Sequence, residues 1–188
     1  MKIYLLDCNE NIVEAWRKFF NEDNVEIVFD YFDSFMNKHK EIQGVVSPAN
    51  SFGLMDGGYD DAITKYFGKD LMKKVQQKIL KDCNGLQPIG SALSVPITEN
   101  QYLIHVPTMI FPSPILDVNI IYQCMRVTLK CAEQLNLESI VIPAFGGLTG
   151  RVDADVIAEK MYKGYLHYNK VPSELNWGYA RFIGKELL

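Results

Sequence analysis

Two glycine-bearing loops hold the residue types in this chain best suited to chemistry. The first runs from Val45 to Ile63 as VVSPANSFGLMDGGYDDAI, and the second runs from Ile140 to Met161 as IVIPAFGGLTGRVDADVIAEKM. Each follows an apolar run and leads toward helix-forming sequence. Glycine lets successive backbone N–H groups turn toward one point, and a helix N-terminus adds positive potential there, so each loop is suited to cradle phosphate oxygens. Two cradles suit a diphosphate better than a single phosphate. No Lys or Arg lies between Gly44 and Thr64, or between Glu138 and Gly150, with Arg151 the nearest exception. An anion here would be held by amides, which favours a small nucleotide derivative over a general polyanion.

Inside the first loop, Asn50 offers both a donor and an acceptor, and Asp60 offers an acceptor or a base. That pair suits a ribose with its hydroxyls. The same residues also read as turn and cap chemistry, with Asn50 closing a turn and Asp60 capping a helix that begins near Ala62. Both readings stand at this stage.

The flanking elements place the loops. Lys2 to Leu6 reads as an apolar strand, and Asn9 or Asn11 can cap a helix with Ile12, Ala15, Trp16, Phe19 and Phe20 on one face. Val25 to Phe29 reads as a second strand. The polar stretch Ser34 to Glu41 leads to a third strand at Gly44-Val45-Val46, ending at Ser47-Pro48. Helical spacing continues over Ala62 to Phe67 and Leu71 to Leu80, with Gly68 as the break. Ala92 to Ile97 and Tyr102 to Val106 are short β-rich runs, read as a hairpin or as neighbouring strands. Ile115 to Leu135 reads as a long helix, Ser139 to Pro143 as a buried strand, and Val152 to Tyr165 as another helix. The sequence after Tyr165 has no clear period. Strands alternating with helices imply a parallel sheet, in which ligands sit at the carboxyl ends of the strands, and both glycine loops fall there.

Composition bounds the alternatives. The chain has 188 residues, a formal net charge of −4 and 48% hydrophobic residues, the usage of one globular domain spanning residues 1–188. Lys and Arg are scattered among acids, so no basic stripe suggests nucleic acid as a partner. The opening MKIYLLDCNE is too short and too polar for a signal peptide or a membrane span, which makes the cytoplasm the expected location and a membrane partner unexpected. Cys8, Cys83, Cys124 and Cys131 form no Cys-x-x-Cys pair, and His39, His105 and His167 do not cluster with acids at a ligand spacing. Neither a metal nor a cofactor is expected, and His105 reads as a core residue. A signalling receiver domain would need an Asp at the end of the third strand, where Ser47 and Pro48 stand. A nicotinamide dehydrogenase would need a glycine turn where Asp7-Cys8-Asn9-Glu10 stands.

Taken together, these motifs resemble the macro domain family. Ser47-Pro48-Ala49-Asn50, then Asp56-Gly57-Gly58, then Tyr59-Asp60 follow the family's Asn-Ala-Ala-Asn run, glycine triplet and Val-Asp-Gly, with the same spacing from Asn50 to Asp60. Tyr102 to Val106 is similar to the family's strand ending in a histidine. Pro143-Ala144-Phe145-Gly146-Gly147-Leu148-Thr149-Gly150 resembles its second phosphate loop. The resemblance runs from about Val25 to Tyr165, and the reduced Asp-Gly-Gly is similar to a divergent bacterial and phage type. Ser47 in place of an Asn, Asp56 in place of a glycine, and a second loop about one residue short are departures from the pattern.

The resemblance implies a three-layer α/β/α sandwich with a mixed, mostly parallel central sheet that binds ADP-ribose. By that resemblance, Gly57, Gly58 and Tyr59 contact one phosphate, while Gly146, Gly147, Leu148, Thr149 and Gly150 wrap the other. Ala49 and Phe145 count among the ligand contacts of the same two motifs. Asn50 and Asp60 meet the distal ribose, and Asp33, with Asp30 behind it, receives the adenine amino group. Some members remove ADP-ribose from proteins or nucleic acids. Here that chemistry would have Asp60 orient a water while Asn50 fixes the sugar, with an ADP-ribosylated protein as substrate. A non-catalytic reader or nucleotide sink is the alternative.

Overall fold

Val45 and Val46 point to opposite faces of one strand, yet both are fully buried. That pattern requires a sheet covered on each side. The computed structural model describes residues 1–187 and shows such a sheet. Its strands are β1 (Lys2–Asp7), β2 (Val25–Phe29), β3 (Gly44–Ser47), β4 (Leu93–Pro96), β5 (Tyr102–His105) and β6 (Ser139–Ile142). Their order is β2-β1-β6-β3-β5-β4. All neighbouring pairs are parallel except β4 with β5, the antiparallel hairpin that makes the sheet mixed.

Helices α1 (Glu10–Phe19), α5 (Asn119–Gln134) and α6 (Ala154–Asn169) cover one face, while α2 (Phe32–Lys38), α3 (Gly58–Phe67) and α4 (Asp70–Cys83) cover the other. Strand residues alternate between the two cores. Ile3, Leu5, Val46, Ile140 and Ile142 pack with Trp16, Met125, Ile157 and Met161. Tyr4, Leu6, Val45, Leu103 and Val141 pack with Phe35, Ile63, Val75 and Ile79. This is the expected three-layer arrangement. Among the described residues, no helix is long and apolar enough to cross a membrane.

Three elements differ from their sequence expectation. α3 begins at Gly58 rather than near Ala62, because two glycines and an Asp hide a first turn that the loop geometry builds. α5 starts at Asn119, since the Ile115 N–H is tied to the Gly150 carbonyl in the second loop and Asp117 Oδ1 accepts the Asn119 N–H at the helix start. The aperiodic end carries α7 (Trp177–Leu187), whose Phe182 meets the buried His167 ring edge-on at 5.2 Å.

The Asn9 cap forms as expected, its side chain accepting a hydrogen bond from the Asn11 N–H at 3.0 Å. α1 carries the fully buried Trp16 and positions the residues just after β1. Replacing Asn9 with Ala is expected to lower unfolding free energy by about 1 kcal/mol in urea titrations. An unchanged midpoint would show that the cap is dispensable.

Candidate functional site

At the carboxyl ends of β1, β3 and β6 the chain leaves a cavity of 590 Å³ walled by both glycine loops. This is where a parallel sheet of this type presents ligands. Ala49, Asn50, Gly57, Gly58, Tyr59 and Asp60 line it from the first loop, and Gly146, Gly147, Leu148, Thr149 and Gly150 line it from the second.

The first loop is shaped by its own side chains. Asn50 Oδ1 accepts from the Phe52 and Leu54 N–H groups at 3.1 and 3.3 Å, and its Nδ2 donates to the Leu54 carbonyl at 2.8 Å. Asn50 therefore closes the turn, as one of its two readings required, and also lies on the cavity wall. Its amide retains a second N–H. Gly57 sits at the N-cap of α3 with no side-chain cap, and Gly58 has φ +56. The first N–H groups of α3 have no intrahelical acceptor and stand at the positive end of the helix.

Asp60 lies in the first turn of α3, not ahead of it, so it does not act as the N-cap. It is 9% exposed, and the buried Ser47 hydroxyl donates to its Oδ1 at 2.6 Å. Burial pushes its carboxyl up to about 7, opposed by the Ser47 hydrogen bond and reinforced by the nearby Asp56 charge. Ser47, at the end of β3, thus positions the carboxylate that α3 delivers to the site.

In the second loop, Gly146 has φ +88. A Cβ on Gly150 would lie 2.6 Å from the Gly146 carbonyl oxygen, so the loop folds onto itself only with glycine there. Val152 N–H closes it onto the Gly146 carbonyl at 3.2 Å, and Ile115 N–H holds the Gly150 carbonyl at 2.9 Å. The N–H groups of residues 146–150 donate to no other protein group among the described residues. The two loops approach one another closely. A Cβ on Gly58 would lie 3.2 Å from Leu148 Cδ2.

Two expected contacts fall elsewhere. Asp33 is exposed on the first turn of α2 and does not line the cavity, whereas Asp30, at the end of β2, does. The sheet register explains the exchange, because Phe29 is the last residue paired with β1 and Asp30 is the first to leave the sheet. Lys38 and the Ser34 hydroxyl hold Asp30 below the usual carboxylate range. Phe145 is fully buried, so its side chain belongs to the core under the second loop and not to the cavity wall. Tyr59 turns its ring edge-on to Phe32 at 5.2 Å, and its buried hydroxyl lacks a partner. Burial, with the Asp7 and Asp60 charges behind it, raises that phenol well above its ordinary value.

Asp7 and Cys8 also line the cavity, although the motifs did not single them out. Their place at the end of the first parallel strand is the signal that could have found them. Burial raises the Asp7 carboxyl, and the N–H groups of Asn9, Ala144 and Cys8 offset part of that rise. Cys8 is an exposed thiol, and all four cysteines are free. Among the described residues, the cavity wall carries Asp7, Asp30, Asp56 and Asp60 but no Lys, Arg or His. No group of three or more His, Cys, Asp or Glu suited to a metal occurs among the described residues.

His105 is fully buried beside the site, in register with Ser47. Its Nδ1 lies 2.7 Å from Gln87 Oε1, an atom that only accepts, so Nδ1 carries the proton. Burial lowers the ring to about 3. A depressed histidine stabilises the fold fully above its unfolded value near 6.5, and that stability is lost as pH falls toward 3. Between pH 7 and pH 5 the loss is about 2 kcal/mol. Denaturant midpoints of the wild type and His105→Gln should converge as pH falls through this window. A difference that stays constant with pH would contradict the assignment.

Against this geometry, known proteins give a consistent picture. A family model described as Macro domain matches residues 46–161. An uncharacterized protein of Aquifex aeolicus is 29% identical over 119 residues, which is 62% of this chain and 68% of that one. The solved Oceanobacillus iheyensis macrodomain with ADP has a TM-score of 0.59 at 21% identity, covering 68% of this chain and 69% of that chain. The macrodomain of Mycobacterium tuberculosis DarG has a TM-score of 0.58 at 16% identity, covering 68% of this chain and 83% of that chain. These structural likenesses establish the fold.

Proposed function

The chain belongs to the macro domain family, and from that premise we propose that it binds ADP-ribose, or a closely related NAD-derived nucleotide, between its two glycine loops. The observation that carries this reading is the approach of Gly58 to Leu148, which sets amide-donating turns on both sides of one cavity. A diphosphate needs many donors and little net positive charge when backbone dipoles surround it. Gly57, Gly58 and Tyr59 offer amides to one phosphate, and residues 146–150 offer theirs to the other. Asp30, taking the place expected of Asp33, receives the adenine amino group. Ala49, Asn50 and Asp60 meet the distal ribose, Asn50 through the N–H that Leu54 leaves unused. An ADP-ribosylated protein in the cytoplasm is the partner this reading implies.

Turnover belongs to the same reading. Asp60 orients a water toward the anomeric carbon of the distal ribose and takes its proton as the water oxygen bonds to that carbon, a role suited to a carboxyl near 7. The bond to the attached protein group breaks, and that group departs with the electron pair. The alternative, a non-catalytic reader or sink, is favoured by the hydrogen bonds that commit Asn50 to its own turn and Asp60 to Ser47. Calorimetry with ADP-ribose tests binding directly, and an absence of heat would sink the proposal. Release of ADP-ribose from modified proteins separates the hydrolase from the reader.

A further inference from the structure

We propose that the mouth of the cavity selects ADP-ribose whose distal ribose carries a guanidinium, that is, ADP-ribose joined to an arginine side chain. This rests on the ADP-ribose reading and adds the chemical class of the group attached to the sugar. The observation is the placement of Asp56. It lies on the cavity wall immediately before the phosphate-binding Gly57, is exposed, and has no ion-pair or hydrogen-bond partner among the described residues.

The neighbouring carboxylates are differently occupied. Asp30 holds Lys38 at 2.8 Å, Asp61 holds Lys65 at 2.6 Å, and Asp7 accepts backbone N–H groups. Asp60 takes the Ser47 hydroxyl at 2.6 Å. Asp56 lines the same wall as Asn50, Leu54 and Asp60, the stretch of the first loop where the distal ribose is proposed to sit, and its charge acts on Asp60. A bare carboxylate close to a diphosphate repels it, and no cation in the wall offsets that repulsion. A guanidinium on the anomeric carbon reverses the sign. Its planar fork matches a carboxylate through two N–H donors, which neither an ester-linked nor a hydroxyl-linked group supplies.

The test titrates ADP-ribose, ADP-ribosyl-arginine and NAD into the wild type and Asp56→Asn by calorimetry. The arginine conjugate is expected to bind the wild type about fivefold more tightly than ADP-ribose at low salt, with the advantage shrinking as salt rises. Asp56→Asn should weaken the conjugate and strengthen ADP-ribose, changes of opposite sign that a damaged fold cannot imitate. Asp56→Glu should keep most of the selectivity. If ADP-ribose binds but the conjugate gains nothing, or keeps its gain in Asp56→Asn, the selectivity is overturned while the ADP-ribose reading stands. If NAD, whose ring cation has no guanidinium fork of paired N–H donors, gains as much, charge alone selects and the guanidinium assignment fails. If no ligand binds, the underlying reading fails with it.

Discussion

Gly58→Glu is expected to weaken ADP-ribose binding by about a thousandfold, because it inserts a carboxylate where the first loop faces Leu148 of the second. Gly58 holds φ +56, a conformation that costs an L residue about 1 kcal/mol. Its Cβ would stand 3.2 Å from Leu148 Cδ2, so any longer side chain enters the gap between the loops. A negative group there faces the diphosphate across a few ångströms with no counter-cation in the wall, and like charges in such contact cost several kcal/mol. Gly58→Ala supplies the control, since it adds the backbone strain and one methyl without charge, and about a tenfold loss is expected. Thermal melting monitors the fold of both variants. Native-like Gly58→Glu that binds ADP-ribose with wild-type affinity would remove the ligand from this cradle.

Asp60→Asn is expected to abolish release of ADP-ribose while leaving the nucleotide bound, and to stabilise the protein at alkaline pH. The catalytic expectation follows from loss of the base, a role worth about a hundredfold to ten-thousandfold in rate. The wild-type rate should rise with pH through the neighbourhood of 7, as the carboxyl loses its proton. The stability expectation has its own sign. A carboxyl raised from 3.8 to about 7 in the folded state contributes stability that is complete below 3.8 and is lost as pH rises through 7. The ionised, buried Asp60 then costs the wild type up to about 4 kcal/mol, a burden that an isosteric amide lacks. Asn can still accept the Ser47 hydroxyl, so the local packing is kept. The melting temperature of Asp60→Asn should therefore exceed that of the wild type at pH 8 and approach it near pH 4. Equal melting temperatures at pH 8 would show that Asp60 is well solvated. Unchanged release of ADP-ribose would favour another base, and no release by the wild type would favour the reader.

What could be read from the chain and what could not divide along physical lines. The continuous apolar runs around Val45 and Ile140 announce strands buried on both faces, and the glycines after them announce tight turns, because both signals are local. The carboxyl-end rule then places the two loops together with no knowledge of their separation. Three things needed the tertiary structure. The register of β2 against β1 decides that Asp30, and not Asp33, leaves the sheet beside the cavity. The path of the first loop decides that Asn50 spends most of its amide on Leu54. The weak helix propensity of Gly58-Tyr59-Asp60 conceals a first turn that exists because the loop delivers it, and only with that turn in place does Asp60 reach Ser47. Phe145 is instructive in the opposite direction. Its position in a phosphate-loop motif suggests a contact, but an apolar ring just beyond the buried β6 strand is drawn into the core.

The most direct measurement follows the backbone amide resonances of Gly57, Gly58, Gly147 and Gly150 while ADP-ribose is added, with adenosine as the phosphate-free control. Amides of both loops should shift together, fit a single dissociation constant, and stay largely still with adenosine. Movement confined to one loop, or an equal response to adenosine, would contradict a diphosphate held between the two turns.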